Sequence, residues 1–325
     1  MKVLFSKLAS CLLAAMALAV SASALAQDAY PNRPIRIIVP FPPGGGSDTV
    51  TRMVAAKLTE AWKVPVLVEN RPGGNTLIAA EAAAKAPADG YTLFTAIDST
   101  LAMNQHLYTK LPYDPINGFA PVTHAISMPI VLALHPGVEA NSVKELIALA
   151  KAKGGQFAYA QGALPAQVAG EVFKSMAKVD MLSVPYKGSA PAMIDAIGGT
   201  VPAIFDALGP AMPHIKAGKV KALAVTSRQR SAALPNVPTM AEAGLPGFDI
   251  VTWIGFVAPA GTSPEIVAKL NREMVRILEL PETKERLAGL GMDVVASTPQ
   301  QFAQTIKEDS ARFGRIIKSA GIKLD

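Results

Sequence analysis

The sequence predicts an α/β protein with parallel sheets, and three observations carry that prediction. Short β-branched runs, Ile35–Val39 first among them, alternate along the chain with runs of helical spacing, the pattern of repeated βα units. The turns from strand to helix are rich in glycine or small polar residues, at Gly44–Gly46, Gly73–Asn75 and Asp98–Thr100, where open α/β sheets bind ligands. A length of 325 residues also exceeds the size at which single cores tend to split.

The first unit sets the pattern. Ile35–Val39 is apolar and bounded by Pro34 and Pro40, so it reads as a buried strand. Val50, Met53, Val54 and Leu58 then fall on one helical stripe, with Ser47 as the expected N-cap. Between them Gly44, Gly45 and Gly46 allow a tight turn and close approach of a ligand. Strand, glycine turn and helix start together form an anion site. A plain βα connection without a ligand remains the alternative for this turn taken alone. Nucleotide motifs do not fit: no lysine follows Gly46, Thr49 stands where a dinucleotide fingerprint needs glycine, and Asp48 would repel a polyphosphate. A small anion such as a carboxylate suits the turn.

The following elements repeat this order. Val64–Val68 reads as a strand, Glu69–Asn75 as a polar glycine-rich turn, and Thr76–Ala86 as an alanine-rich helix. Tyr91–Ile97 is a strand delivering Asp98, Ser99 and Thr100 to another helix start. Residues 108–124 read as a surface loop before a strand at Met128–Leu134, and Ser142 caps a helix over Val143–Lys153. Further strands are expected near Phe157–Tyr159, Met181–Val184, Val201–Phe205, Ala222–Thr226 and Phe248–Val257. Further helices are expected at Ala166–Ala177, Ala190–Ile197, Pro264–Leu278, Pro281–Leu290 and Pro299–Lys318.

The N-terminus reads as a secretory leader. Lys2 and Lys7 precede an apolar stretch, and Ala24-Leu25-Ala26 is a small-x-small cleavage site, placing cleavage before Gln27. The apolar stretch follows Cys11 instead of preceding it, which argues against a lipoprotein box, and it is short for a membrane span. Cys11 is the only cysteine and leaves with the leader, so no disulfide is expected. The formal charge of +6 includes Lys2 and Lys7, and the remaining mild excess without long basic runs favours small anions over nucleic acid.

Chemistry needing a metal, nucleophile or cofactor finds no anchor. His106, His124, His135 and His214 are scattered without metal-ligand spacing, and no Gly-x-Ser-x-Gly elbow occurs. Asp48, Asp98 and Asp206 stand at helix starts, where carboxylates serve as caps. Asp206 is kept as a pocket residue that accepts hydrogen bonds from a ligand amine, hydroxyl or water. Arg228 and Arg230 read as solvated surface charges.

A series of blocks resembles the substrate-binding proteins of tripartite tricarboxylate transporters, the Bug family. It runs from Tyr30-Pro-x-Arg-Pro-Ile through Gly44-Gly-Gly-Ser-Asp48, Val68-Glu-Asn-Arg-Pro-Gly-Gly-Asn75 and Ala88-Asp-Gly-Tyr91. It continues with Val184-Pro-Tyr-Lys-Gly-Ser-Ala-Pro191, Lys216-Ala-Gly-Lys219, Ala222–Ser227 and Leu234-Pro-x-Val-Pro-Thr239. Ala241–Phe248 and Ala258-Pro-Ala-Gly261 close it. The resemblance implies a type II periplasmic-binding-protein fold, two α/β domains joined by a two-strand hinge. The crossings are placed near Ser127–Val131 and Asp249–Trp253, giving residues 1–26 as signal peptide, 27–127 plus 250–325 as domain one and 128–249 as domain two. It implies a monomeric periplasmic receptor without catalytic activity, metal or cofactor. The receptor captures a small organic carboxylate, with an aromatic or dicarboxylic acid in view, and hands it to the membrane permease subunits of a tripartite tricarboxylate transporter. The alternative is a periplasmic ligand sensor that partners a signalling kinase.

Carried onto this chain, the resemblance points to Phe41, Gly45, Gly46, Ser47 and Asp48, with Asn75, Asp98, Ser99 and Thr100 on the same rim. From domain two it points to Gln161, Gly162, Ala163, Tyr186, Lys187, Gly188, Ser189 and Asp206. Trp253 is placed on a hinge strand, either lining the cleft or packed in the core. One departure matters: where the family has a small-residue loop ending in His, this chain has Gln161-Gly-Ala-Leu-Pro-Ala-Gln167. Leu164-Pro165 makes that rim apolar and stiff, favouring a bulky or aromatic carboxylate over a small amino acid.

Overall fold

The computed structural model describes residues 30–322; the leader, its cleavage site and Cys11 lie outside them. In chain order the elements are β1 (Ile35–Val39), α1 (Gly46–Trp62), β2 (Val66–Asn70), α2 (Leu77–Ala84), β3 (Thr92–Ile97) and β4 (Phe119–Leu134). Next come α3 (Val143–Ala152), β5 (Ala158–Gln161), α4 (Leu164–Ala177), β6 (Leu182–Pro185), α5 (Ser189–Ile197), β7 (Ala203–Ala207), α6 (Leu208–Lys216) and β8 (Lys221–Val225). The last are β9 (Val251–Pro259), α7 (Pro264–Leu278), α8 (Pro281–Ala288), β10 (Asp293–Val294) and α9 (Pro299–Ala320).

One sheet path runs β2-β1-β3-β9-β4-β7-β5-β6, with β8 and β10 also paired to β4. The outer strands β2, β1 and β3 are parallel to one another, as are β6, β5 and β7. Ile35, Ile37, Ile38 and Val39 of β1 are fully buried, because helices cover both faces and leave no exposed side to alternate towards. The sheet is mixed where the sequence pattern read parallel: β9 runs antiparallel to β3 and β4, and β4 antiparallel to β7 and β8. Strand direction leaves no mark on composition, so the reversal was invisible in the pattern.

The long strand β4 corrects the reading of residues 108–124 as a loop. Its first part pairs with β9 from Phe119 opposite Pro259 to Pro129 opposite Val251. Pro121, Thr123 and His124 break the apolar run, and the ladder absorbs them with register shifts at Pro121/Thr123 and His124/Ile126, as bulges do. From Ile130 to Leu134 the same strand pairs with β7 and β8. Helix α6 was also unexpected, since Pro210 and Pro213 argue against one. Pro210 sits in its first turn, where a missing N–H costs little.

The partner change at Pro129/Ile130 is held by one hydroxyl. Buried Thr226 Oγ1 accepts from Ile130 N–H at 2.9 Å and lies 2.6 Å from the Ile250 carbonyl, to which it donates. Thr226 N–H reaches the Ile130 carbonyl and Ile250 N–H the Thr226 carbonyl, at 2.9 and 3.0 Å. Both crossing segments are thereby tied at one level. Apolar clusters fill each side of that level, one around Ile37, Phe256 and Leu270, the other around Tyr159, Phe173 and Phe205. Helix α9 belongs to both sides: Phe302 packs beside Trp253 and Val257, while Phe313 and Ile317 enter the cluster of Phe173. Trp253 lies in the core, its Nε1–H donating to Asp309 at 2.7 Å.

Thr226→Val keeps the shape and removes the hydroxyl, leaving a buried N–H and a buried carbonyl with one partner fewer. It should lower the unfolding free energy by about 1–3 kcal/mol, read by urea denaturation. An unchanged midpoint would show that the clasp is dispensable.

Candidate functional site

The carboxyl ends of strands from both sides of the crossing open on one cavity. It holds about 600 Å³ of space free of protein atoms, its open mouth included. The β1–α1 turn contributes Phe41, Pro42, Gly45, Gly46 and Ser47, and the end of β3 contributes Ile97. Met128, Ile130, Thr252 and Ile254 of the crossing strands form its back. The far side comes from the starts of α4, α5 and α6, including Ala163, Pro165, Gly188, Ser189 and Pro210, with Asp206 at the end of β7.

Four helices begin at this cavity, and none is capped by a side chain. Their N-cap residues are Gly45 for α1, Ala163 for α4, Gly188 for α5 and Ala207 for α6, none able to supply a side-chain acceptor, and all four line the cavity. Helices α3, α7 and α9, which start elsewhere, are capped by Ser142, Ser263 and Thr298, while α2 and α8 also start elsewhere and have no side-chain cap. Each uncapped start leaves first-turn N–H groups without an intrahelical acceptor and with the positive end of the helix dipole. Among the described residues no Lys, Arg or His lines the cavity. Positive potential there comes from backbone, and the walls are mostly apolar, with Ser47, Ser189, Thr252 and Asp206 as the polar side chains.

Among the described residues Asp206 is the one carboxyl in this lining. Its Oδ1 accepts from Ser189 Oγ and from Ala207 N–H at 2.9 Å, and its Oδ2 is buried with no hydrogen-bond partner among the described residues. Burial pushes its pKa up to about 7, against the two hydrogen bonds that favour the ionised form.

Of the residues singled out from sequence, the cavity brings together Phe41, Gly45, Gly46, Ser47, Ala163, Gly188, Ser189 and Asp206. The others lie outside its lining, each for a local reason. Ser47 follows the helix start at Gly46 and is not the N-cap. Asp48 turns back under the glycine turn, accepting from Gly44 N–H at 3.0 Å, Arg52 Nε at 2.9 Å and Asn70 Nδ2 at 2.9 Å. Burial raises its pKa, but the Arg52, Gly44 and Asn70 hydrogen bonds outweigh that and hold the carboxyl below its usual range. Asn75 follows β2, the edge strand, and is left-handed at φ 52°; its carbonyl accepts from Asn104 Nδ2. Thr100 donates to Thr76 Oγ1 inside the same buried network.

Asp98 and Ser99 are fully buried at the end of β3, beside β9. Thr252 bridges the gap, lining the cavity and donating to Asp98 Oδ1 at 3.1 Å. Burial and the nearby Asp309 charge hold the Asp98 pKa well above its usual value. Gln161 is buried at the end of β5. Gly162 serves packing: a Cβ there would stand 2.3 Å from the Gly188 carbonyl carbon. Tyr186 donates to Asp195 at 2.6 Å along α5, and Lys187 is exposed. Sequence reasoning missed Ile97, Met128, Ile130, Thr252, Ile254 and Pro210. Once two strands are taken to cross between halves, their midpoints must face the cleft, and Met128 and Thr252 were open to that argument.

Residues 50–322 match the model of the tripartite tricarboxylate transporter family receptor, TctC. The chain belongs to that family. It is 37% identical over 306 residues to protein BugT of Bordetella pertussis strain Tohama I, covering 93% of this chain and 94% of the relative. Among solved structures, an R. palustris protein with adipate is 34% identical with a TM-score of 0.88, covering 90% of this chain and 99% of that one. MatC from Rhodopseudomonas palustris with bound malate is 31% identical with a TM-score of 0.84, covering 89% and 100%. The periplasmic binding protein BugD matches with 31% identity and a TM-score of 0.86, covering 90% and 99%. The fold is thus the mixed α/β periplasmic-binding-protein fold, and the chain is a solute-binding receptor of the TctC family, a family of binding proteins and not of enzymes. No helix among the described residues is long and apolar enough to cross a membrane.

The buried acid gives this receptor a pH signature. Folded Asp206 keeps its proton to about pH 7, whereas the unfolded carboxyl loses it near 3.8. The folded state therefore binds more protons between those values, and the Asp206 contribution to stability falls as pH rises through them. His124, which burial lowers to about 4, contributes the opposite slope below about 6.5. Both proteins share that slope, so it cancels in a difference. The stability of Asp206→Asn relative to wild type should rise between pH 4 and 8 by on the order of 4 kcal/mol. Denaturant melts of both proteins across that range read it, and a constant difference would show that Asp206 ionises normally.

Proposed function

We propose that this receptor captures a small organic carboxylate in the periplasm and passes it to the membrane subunits of a tripartite tricarboxylate-type permease. The observation that carries this reading is the convergence of four uncapped helix starts on one cavity without a basic side chain. Backbone N–H groups at a helix start bind an anion without bringing a counter-charge to be desolvated. In this reading the carboxylate sits between the start of α1, at Gly46 and Ser47, and the start of α5, at Ser189. The relatives with adipate and with malate support it.

The walls set the rest of the ligand. Phe41, Met128, Ile130, Ile254 and Pro165 offer hydrocarbon contact, which favours a diacid with a methylene chain, or an aromatic acid, over aspartate or glutamate. Residues 27–127 plus 250–325 and 128–249 act as domains that close over the ligand about the crossing strands. A contact across the mouth supports closure: Gly188 adopts φ +127°, and a Cβ there would lie 3.0 Å from Pro42 Cδ.

A thermal-shift screen of the mature protein against aliphatic and aromatic mono- and dicarboxylates, with their amides as controls, tests the reading. An acid at about 100 times its dissociation constant should stabilise by about 2.7 kcal/mol, several degrees for a chain of this size, while its amide does nothing. Silence across the panel overturns the carboxylate reading. Aspartate or glutamate outranking every diacid and aromatic acid overturns the preference for a hydrocarbon body. Gly188→Ala, strained at that φ and pressed on Pro42, should weaken binding of the best acid about tenfold or more, measured by calorimetry.

A further inference from the structure

The carboxyl of Asp206 stands in a setting that a capping role does not require. Oδ1 is in use, by Ser189 Oγ and Ala207 N–H. Oδ2 is buried without a hydrogen-bond partner among the described residues, although Asp206 borders the cavity. An ionised oxygen left this way is costly, whereas a protonated one is a donor awaiting an acceptor.

The surroundings supply no compensating charge. The cavity lining carries no Lys, Arg, His, Glu or second Asp among the described residues. The titratable groups on elements packed against β7 are engaged elsewhere. Tyr159 of β5 bonds Glu171 of α4, which also pairs with Lys174. Asp195 of α5 accepts from Tyr186, His124 of β4 meets Ser127, and Lys216 of α6 reaches the Gly289 carbonyl. His214 of α6 lies by Lys219. Burial is what keeps the proton on Asp206 to about pH 7.

A carboxylate entering this cavity brings a second acidic group to the same space, and two carboxyls in close contact do not both ionise. Granted the carboxylate-receptor reading above, we propose that Asp206 meets the bound carboxylate as the neutral acid, its Oδ2–H donating to the ligand, so that the receptor takes up one proton with each ligand it binds above neutral pH. The proton comes from solvent, and no other bond is made or broken. The device selects ligands that present an acceptor at Asp206. Amino acids present an ammonium there and would need the ionised form.

Adipate and benzoate are the probes, each titrated by calorimetry between about pH 6.5 and 8.5, where both are essentially ionised. Apparent affinity scales with the protonated fraction of Asp206, so the dissociation constant should rise towards tenfold per pH unit above about pH 7. At pH 8, heats in buffers of different ionisation enthalpy should report uptake of about one proton per ligand. Asp206→Asn carries a donor amide that does not titrate, and its dissociation constant should be flat across the range. A flat wild-type profile without proton uptake, or an Asn variant that keeps the slope, overturns the proposal. So does tighter binding of glutamate than of adipate that Asp206→Asn abolishes. Should the variant fail to fold, the wild-type proton count still decides. Failure of both probes to bind at any pH overturns the receptor reading for these acids, and the shared proton with it.

Discussion

The structure depends on the direction of β4. This strand runs without a break from the outer end of one half, at Phe119, to the outer end of the other, at Leu134. On one side β9 pairs antiparallel to it and β3 antiparallel to β9; on the other β7 pairs antiparallel to it. The carboxyl end of β3 therefore comes to the crossing at Ile97, and that of β7 comes to it from the opposite side at Asp206 and Ala207. Strands parallel to each follow: β1 beside β3, and β5 and β6 beside β7. In α/β units the helix after a parallel strand begins at that strand's carboxyl end. Antiparallel pairing at the crossing thus aims helix starts from both halves at one gap, and the Thr226 clasp holds the geometry.

Helix starts alone would hold an anion in this gap only weakly. One helix start stabilises an anion by roughly 0.3–1 kcal/mol, up to about 2 where it is partly buried. Four together supply a few kcal/mol, well short of the roughly 8 kcal/mol of micromolar affinity. The remainder has to come from apolar contact, at about 25 cal/mol per Å² removed from water, and from direct hydrogen bonds. The hydrocarbon body of a ligand therefore carries as much of the affinity as its carboxylate. In the reading proposed above, the walls built from Phe41, Met128, Ile130 and Ile254 would rank one acid against another.

The repeating βα units, the glycine turn and the amphipathic helices were legible in the sequence because apolar periodicity and turn chemistry are local. Pro264–Leu278 is bounded as its pattern indicates, since Ser263 caps it and its buried stripe is regular. Strand direction was not legible, nor was the first half of β4, whose prolines and polar residues are tolerated only because β9 lies alongside. The candidate site was legible where one local turn makes it, as at Phe41 and Gly45–Ser47 or Gly188–Ser189. Expectation and cavity lining part where a strand end looks equivalent in sequence but differs in place. Asn75 lies in the turn after the edge strand β2, and Asp98 follows the inner strand β3, which β9 flanks. Ile97, Met128 and Ile254 carry no local signal, because an apolar residue facing a cleft has the same composition as one facing a core.

Asp98 and Asp206 show how far equivalent chemistry can part by one layer. Each ends a strand, each accepts from the N–H of the next residue at 2.9 Å, and each has a buried Oδ2 without a partner among the described residues. Burial raises both. Asp98 gives its Oδ1 to the Thr252 hydroxyl, and it is Thr252 that faces the cavity. Asp98 can therefore feel a ligand only through a hydroxyl that lacks a charge of its own. Asp206 has no such screen, and its other partner, Ser189, is itself a cavity residue. Asp206 therefore borders the cavity itself, and Asp98 does not.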